Sequence, residues 1–336
     1  GEPWTYGRPA DGLAPTILSG DLAQDDAGGF SFRAENSRHV VRTTVGPGAS
    51  ILDGFTVRGG YAVGPVGPFG ESGGGLTCEG RTEVSRCEFV DNFAESAGGA
   101  IFCDAARLSV EDCRFTSNAV SPLVGGSIPL GGGAIYHRDN VATIRRCHFS
   151  ANTTSGSGAA LWLGRLGSIS NSIFSGNVGV PGSAIWLNER VDGAPRIIAC
   201  TITQNVAEFP GGYAIDGQVG SNDPVVSQTI LWDNVSLTGG LSSLNPGLLA
   251  EDSIVQGGLP GPGVLDVDPL FVDPATGDFA LQAGSPAIDV SGGTQLALTS
   301  RKADAALRRR NIDDPMAPNS GPNGGTYDLG GLERSD

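Results

Sequence analysis

Two short apolar patterns alternate along the chain, and both have the period of two that marks strands rather than the 3.6-residue period of helices. The first ends in asparagine: CEFVDN at Cys87 to Asn92, CRFTSN at Cys113 to Asn118, CHFSAN at Cys147 to Asn152 and SIFSGN at Ser172 to Asn177. Looser copies are CTITQN ending at Asn205 and TILWDN ending at Asn234. The second is glycine-led: GGGL at Gly73 to Leu76, GGAI at Gly98 to Ile101, GGAI at Gly132 to Ile135, GAAL at Gly158 to Leu161, GSAI at Gly182 to Ile185, and YAI ending at Ile215. The asparagines recur every 25 to 34 residues, with the longer gaps where loops are inserted. Such a period is that of stacked coils, in which an inserted loop leaves the next coil in place.

Alternation then sorts the side chains. Phe89, Phe115, Phe149 and Phe174 share one register, continued by Ile202 and Leu231, and are expected to form an internal ladder. Two residues earlier, in the same parity, lie Cys87, Cys113, Cys147 and Cys200, with Ser172 and Thr229 in the remaining coils. The closing asparagines suit a corner, because their amides donate and accept at once and tolerate the left-handed conformation.

The glycine-led strand offers the candidate site. If Leu76, Ile101, Ile135, Leu161, Ile185 and Ile215 face inward, their successors Thr77, Phe102, Tyr136, Trp162, Trp186 and Asp216 face outward. Four aromatics then stand in a row about 4.8 Å apart per coil. Two positions further on come Glu79, Asp104, Arg138, Gly164, Asn188 and Gln218. Exposed rings beside carboxylates, an arginine and amides suit carbohydrate, so Phe102, Tyr136, Trp162, Trp186 and Asn188 are the candidate ligand contacts. Removing both Trp162 and Trp186 is then expected to spare the fold. Against this stands the reading in which the rings stack on one another or lie under the loop at Val120 to Leu130 or a C-terminal strap.

For catalysis, Glu79 with Asp104 on the neighbouring coil is the pair a hydrolase would use, and Arg138 or Arg165 a lyase base if its pKa is strongly displaced. His137 falls in the inward column of Cys78 and Cys103, and His148 faces outward beside Arg114 and Glu88; packing or surface roles outweigh catalytic ones for both. The six cysteines lack the paired spacing of zinc sites. They read as buried thiols in two inward columns, because a bridge between Cys78 and Cys103, or Cys87 and Cys113, would be strained in register. No cofactor is called for. Asp266, Asp268, Asp273 and Asp278 form an acidic cluster that is a weak candidate for structural calcium.

Composition narrows the classes. Gly 53 and Pro 21 with 7% aromatic residues fit many short strands and tight turns. A net charge of -15 disfavours nucleic acid and anionic lipid surfaces. Lys302 is the one lysine, so the repeats carry no lysine base. No apolar run reaches the length of a membrane-spanning helix, and membrane insertion is not expected. The opening residues carry no leader pattern, so the chain is expected to start after any leader is removed.

The FxxN and GGAI motifs resemble the polymorphic outer membrane protein repeat of bacterial surface proteins, over about residues 73 to 234. TILSGDLAQDD from Thr16 and ILDGFTVRGG from Ile51 resemble the early coils of secreted bacterial right-handed β-helix repeat proteins. The stretch from Asp268 to Asp289, with YDLGGLE from Tyr327, resembles their closing segment. The resemblance implies an all-β, single-domain right-handed parallel β-helix, a pectate-lyase-like solenoid, over residues 1–292. An irregular cap or strap follows over 293–336, where Arg308 to Arg310 read as a solvated face paired with Asp313 and Asp314. It also implies a secreted or cell-surface setting. The leading functional expectation is a binding or adhesion module for polysaccharide or surface glycan. A polysaccharide lyase or glycoside hydrolase on the same face, and a structural stalk, remain as alternatives, and oligomeric state is left open.

Overall fold

The computed structural model describes residues 15 to 288, apart from 28–29, 65–70, 105, 123–128, 165–166, 189–195, 218–224, 238–239 and 241–242. The expected cap over 293–336 lies outside the described residues.

Each repeat makes one coil of four short strands. In one complete coil these are Leu76–Cys78, Thr82–Ser85, Glu88–Val90 and Phe93–Ala94; the next coil repeats them as Ile101–Asp104, Leu108–Glu111, Arg114–Thr116 and Ala119–Val120. Equivalent strands of successive coils pair in parallel, giving sheets of seven, eight, nine and seven strands, here sheets 1 to 4 in the order the coil visits them. Parallel pairing places each residue over its counterpart, as in Ile101 between Leu76 and Ile135, or Phe115 between Phe89 and Phe149.

The interior is a bundle of such columns. The Phe89, Phe115, Phe149 and Phe174 rings stack at 5.1, 4.7 and 4.8 Å between centroids, nearly parallel and fully buried. Ile202 and Leu231 extend the column. Cys87, Cys113, Cys147 and Cys200 also point inward, but their column is a polar ladder rather than simple filler. The amide N–H of Cys87 donates to Cys113 Sγ (3.4 Å), that of Cys147 to Ser172 Oγ (3.1 Å) and that of Cys200 to Thr229 Oγ1 (3.3 Å). Each thiol or hydroxyl in turn reaches the carbonyl two residues back, for example Cys113 to Glu111 and Ser172 to Ser170. This shared role explains why Cys, Ser and Thr exchange in this column.

Asn92, Asn118, Asn152, Asn177, Asn205 and Asn234 are fully buried. Each Nδ2 from Asn92 to Asn205 donates to the Oδ1 of the next asparagine at 2.8 to 3.0 Å, and that same Oδ1 accepts the asparagine's own backbone N–H. Each Nδ2 also donates to a carbonyl of the preceding coil, as Asn152 does to Phe115 O at 3.0 Å. The left-handed residue at this corner is the one before the asparagine: Asp91, Ser117, Ala151, Gly176, Gln204 and Asp233 have φ between 53 and 63°. This corrects the expectation that asparagine itself takes that conformation; its side chain is needed inside. In the glycine-led motif the first glycine is the left-handed one, Gly98 at 60° and Gly132 at 65°, with the Ile101 and Ile135 carbonyl oxygens too close to admit a Cβ.

The closing segment does not form another coil. Phe271–Asp273 and Asp278–Leu281 make an antiparallel hairpin that packs on the outer face of sheet 3. There Phe271, Phe279, Leu281, Ala287 and Ile288 cover Ile173, Ile230 and Ile254, and Gln204 Nε2 donates to Pro274 O (3.1 Å).

Three substitutions test the columns. Phe115→Ala should lower the unfolding free energy by about 3 to 5 kcal/mol through cavity formation. Asn152→Ala should cost on the order of 3 kcal/mol by leaving the Asn118 amide and Phe115 O unpartnered. Ala151→Gly should raise stability by about 1 kcal/mol, since it relieves a left-handed alanine at an exposed corner. Urea titration reads all three, and an unchanged Phe115→Ala midpoint contradicts the register.

Candidate functional site

The aromatic row forms in the expected register, Phe102 over Tyr136 over Trp162 over Trp186. Its exposure is not as expected. Phe102, Tyr136 and Trp162 are only 7, 2 and 8% exposed, and Trp186 is half-buried. Centroids lie 5.5 Å apart for Phe102 and Tyr136 and 4.2 Å apart for Tyr136 and Trp162, with planes within 16°. Strands in parallel register hold rings at stacking distance, so Tyr136 gives both faces to its neighbours and none to a ligand. Burial pushes the Tyr136 hydroxyl up to about 12. The row is a second, outer core with Ala97 and not an open glycan platform.

The polar row beside it is ion-paired. Asp104 receives the Arg138 guanidinium through two bonds, Nε at 2.8 Å and Nη2 at 2.7 Å, and Arg138 also lies 3.2 Å from Asp139. Glu79 is held from the preceding coil by Arg42, whose Nε donates at 3.0 Å. Glu79 and Asp104 thus belong to separate arginines and are not an opposed carboxylate pair. The bond to Asp104 raises the Arg138 pKa further, which removes it as a base. Asn188 lies at the end of Ile185–Leu187, its backbone N–H on Leu163 O (2.8 Å). Arg165 and Gln218 lie outside the described residues.

His137 is fully buried in the inward column and donates from Nε2 to Ala106 O (2.9 Å), with burial lowering its pKa. His148 stands in the outward column between Arg114 and Ile173, where charged residues give way to the isoleucines under the hairpin. Half-buried there, with Nε2 on Ser175 Oγ (3.2 Å), it is pushed down to about 3 by burial and by Arg114. All six cysteines are buried free thiols, and burial holds Cys113 well above the ordinary thiol range.

In the acidic closing segment Asp266, Asp268 and Asp278 accept the backbone N–H groups of Gly257 (3.0 Å), Leu270 (2.8 Å) and Ala280 (3.1 Å), and Asp273 precedes a short 3-10 turn without a side-chain bond to it. Among the described residues the carboxylates that do converge are Asp21, Asp26 and Glu35, whose oxygens lie within 4.8 Å of one another. Asp26 already accepts from Asn36 Nδ2 (3.2 and 3.0 Å) and lies 3.5 Å from Arg33 Nε.

That loop forms a feature the alternation does not reveal: a half-open cleft of about 900 Å³ where the first coil meets the corner between sheets 3 and 4. Asp21, Gln24, Asp26, Phe30, Arg58 and Asp91 line it. Arg33, 6% exposed, is its buried pivot, donating to the Asp91 carbonyl and lying 4.7 Å over the Phe30 ring. Phe30 rests on Phe93 at 5.1 Å. Burial against this wall raises the Asp91 pKa. The signal in the sequence is the acidic run Asp21 to Asp26 with Arg33, but what it meets is supplied from 58 residues away.

Four parallel sheets wound coil upon coil define the class, a parallel β-solenoid. The family model of the right handed beta helix region matches residues 74–249, and the chain belongs to that family. No curated protein and no solved structure matches the chain. No helix among the described residues is long and apolar enough to cross a membrane.

Two predictions follow from this geometry. Trp162→Ala should destabilise the fold by about 3 to 5 kcal/mol, read as a lower Tm; an unchanged Tm means the ring is not packed. The depressed His148 leaves the unfolded chain with more bound protons between its ordinary pKa and about 3. Stability should therefore be present in full above about pH 6.5 and fall as pH drops toward 3. His148→Gln should flatten that slope in urea midpoints measured across the window; an identical slope excludes His148 as its source.

Proposed function

We propose that this right-handed β-helix is a secreted or cell-surface module that binds glycan without transforming it. The observation that carries the reading is the combination of a solenoid with columns locked coil to coil and a half-open polar cleft of about 900 Å³, a size that accepts a few sugar rings. The candidate catalytic groups support the non-enzymatic side: Glu79 and Asp104 are spent on Arg42 and Arg138, and His137 is sealed in the core.

The test is a panel of immobilised neutral and acidic polysaccharides incubated with the protein. Retention with no new reducing ends and no unsaturated uronates is expected. Products would make it an enzyme, and neither retention nor products would favour a structural stalk.

A further inference from the structure

The aromatic row, the paired acidic and basic columns and the buried thiols are closed against one another, which leaves the N-terminal cleft as the place where polar side chains line open space. The geometry points to this cleft as the saccharide site, taking a neutral, uncharged stretch of glycan; this rests on the binding-module reading above.

Its lining mixes groups that a row of hydroxyls can satisfy together. Asp21, Asp26 and Asp91 accept, while Arg58 and Gln24 donate from the exposed rim. Arg33 is more than nine-tenths buried, yet its Nε has no hydrogen-bond partner and lies 3.5 Å from Asp26. That Nε is ion-paired with Asp26 and closed off from solvent, so Arg33 braces the cleft wall and the groups that face a ligand are those at the rim. Phe30, held between Arg33 and Phe93, adds only apolar wall to the cleft, since those neighbours cover its ring.

Electrostatics selects the ligand class. Three carboxylates against two guanidiniums leave the wall slightly acidic, within a chain of net charge -15. Uronate and sulfated polymers would bring a second row of negative charge to that wall, and like charges close together are repelled. A polycation would meet Arg33 and Arg58. A neutral polyol uses donors and acceptors alike and carries neither penalty.

The experiment is affinity electrophoresis of the full chain against neutral and polyuronate polysaccharides, with Arg58→Ala and Asp91→Asn combined. Both positions are at the exposed rim, and asparagine keeps the left-handed corner that Asp91 occupies at φ 53°. Glu83→Gln, on the outer face of sheet 2, serves as control. Retention by a neutral polymer is expected, weakened at least tenfold in the double variant at unchanged Tm and unaffected by Glu83→Gln. Retention that survives the double variant overturns the cleft while leaving the binding module standing. Retention confined to polyuronates overturns the neutral class. No retention of any polymer overturns both the cleft and the reading on which it rests.

Discussion

Everything in this fold follows from one constraint, that each side chain sits directly above and below its counterpart in the neighbouring coils. Parallel in-register pairing imposes this, because the coils repeat at the strand spacing of about 4.8 Å. A column is then stable only if its residue can satisfy a copy of itself. Phenylalanine does so by face-to-face stacking, with planes within 8°. Asparagine does so because its amide carries donor and acceptor together, and the Asn92 to Asn234 chain uses both at every step. Cysteine, serine and threonine manage the same on a smaller scale, each accepting an amide from the coil before it.

The same constraint governs the outside. Like charges in one column would repel, so charged positions alternate or are answered from the next strand. Asp104 meets Arg138; Glu111 meets Arg145 at 2.8 Å and also Arg146, which reaches Asp112 at 2.7 Å. The exposed Asp104–Arg138 pair adds little stability and Arg146 is buried against its two carboxylates, but all of these pairs occupy the groups that chemistry would otherwise use. Aromatic residues in an outer column do to one another what the phenylalanines do inside. The row through Tyr136 and Trp162 is therefore closed by its own regularity. The regularity breaks at the irregular first coil between Asp21 and Asn36, and the proposed saccharide cleft lies there.

How much of this is legible in the sequence follows the same division. The inward columns and the coil order were readable, because alternation and recurrence are local and each Phe or Asn repeats at a fixed place. Direction was readable for Phe102 to Trp186 too, yet cover was not, since alternation says which way a ring points and not what lies beside it. The left-handed corner was misplaced by one residue because its occupants, Asp91, Ser117, Ala151, Gly176, Gln204 and Asp233, share no side-chain type. The hairpin's resting place did leave a trace: the outward column of sheet 3 changes from Glu88, Arg114 and His148 to Ile173, Ile230 and Ile254. The cleft left almost none, because Arg33 and Asp91 meet only after folding.

The stacked columns, asparagine above all, hold the solenoid together as one body. Native-state amide hydrogen exchange tests it directly at Asn92, Asn118, Asn152, Asn177 and Asn205, whose N–H groups donate to the next asparagine's Oδ1. These amides should exchange only through global unfolding, with the same protection as the amides of the phenylalanine strands. Fast exchange at the asparagines while those strands stay protected would contradict it.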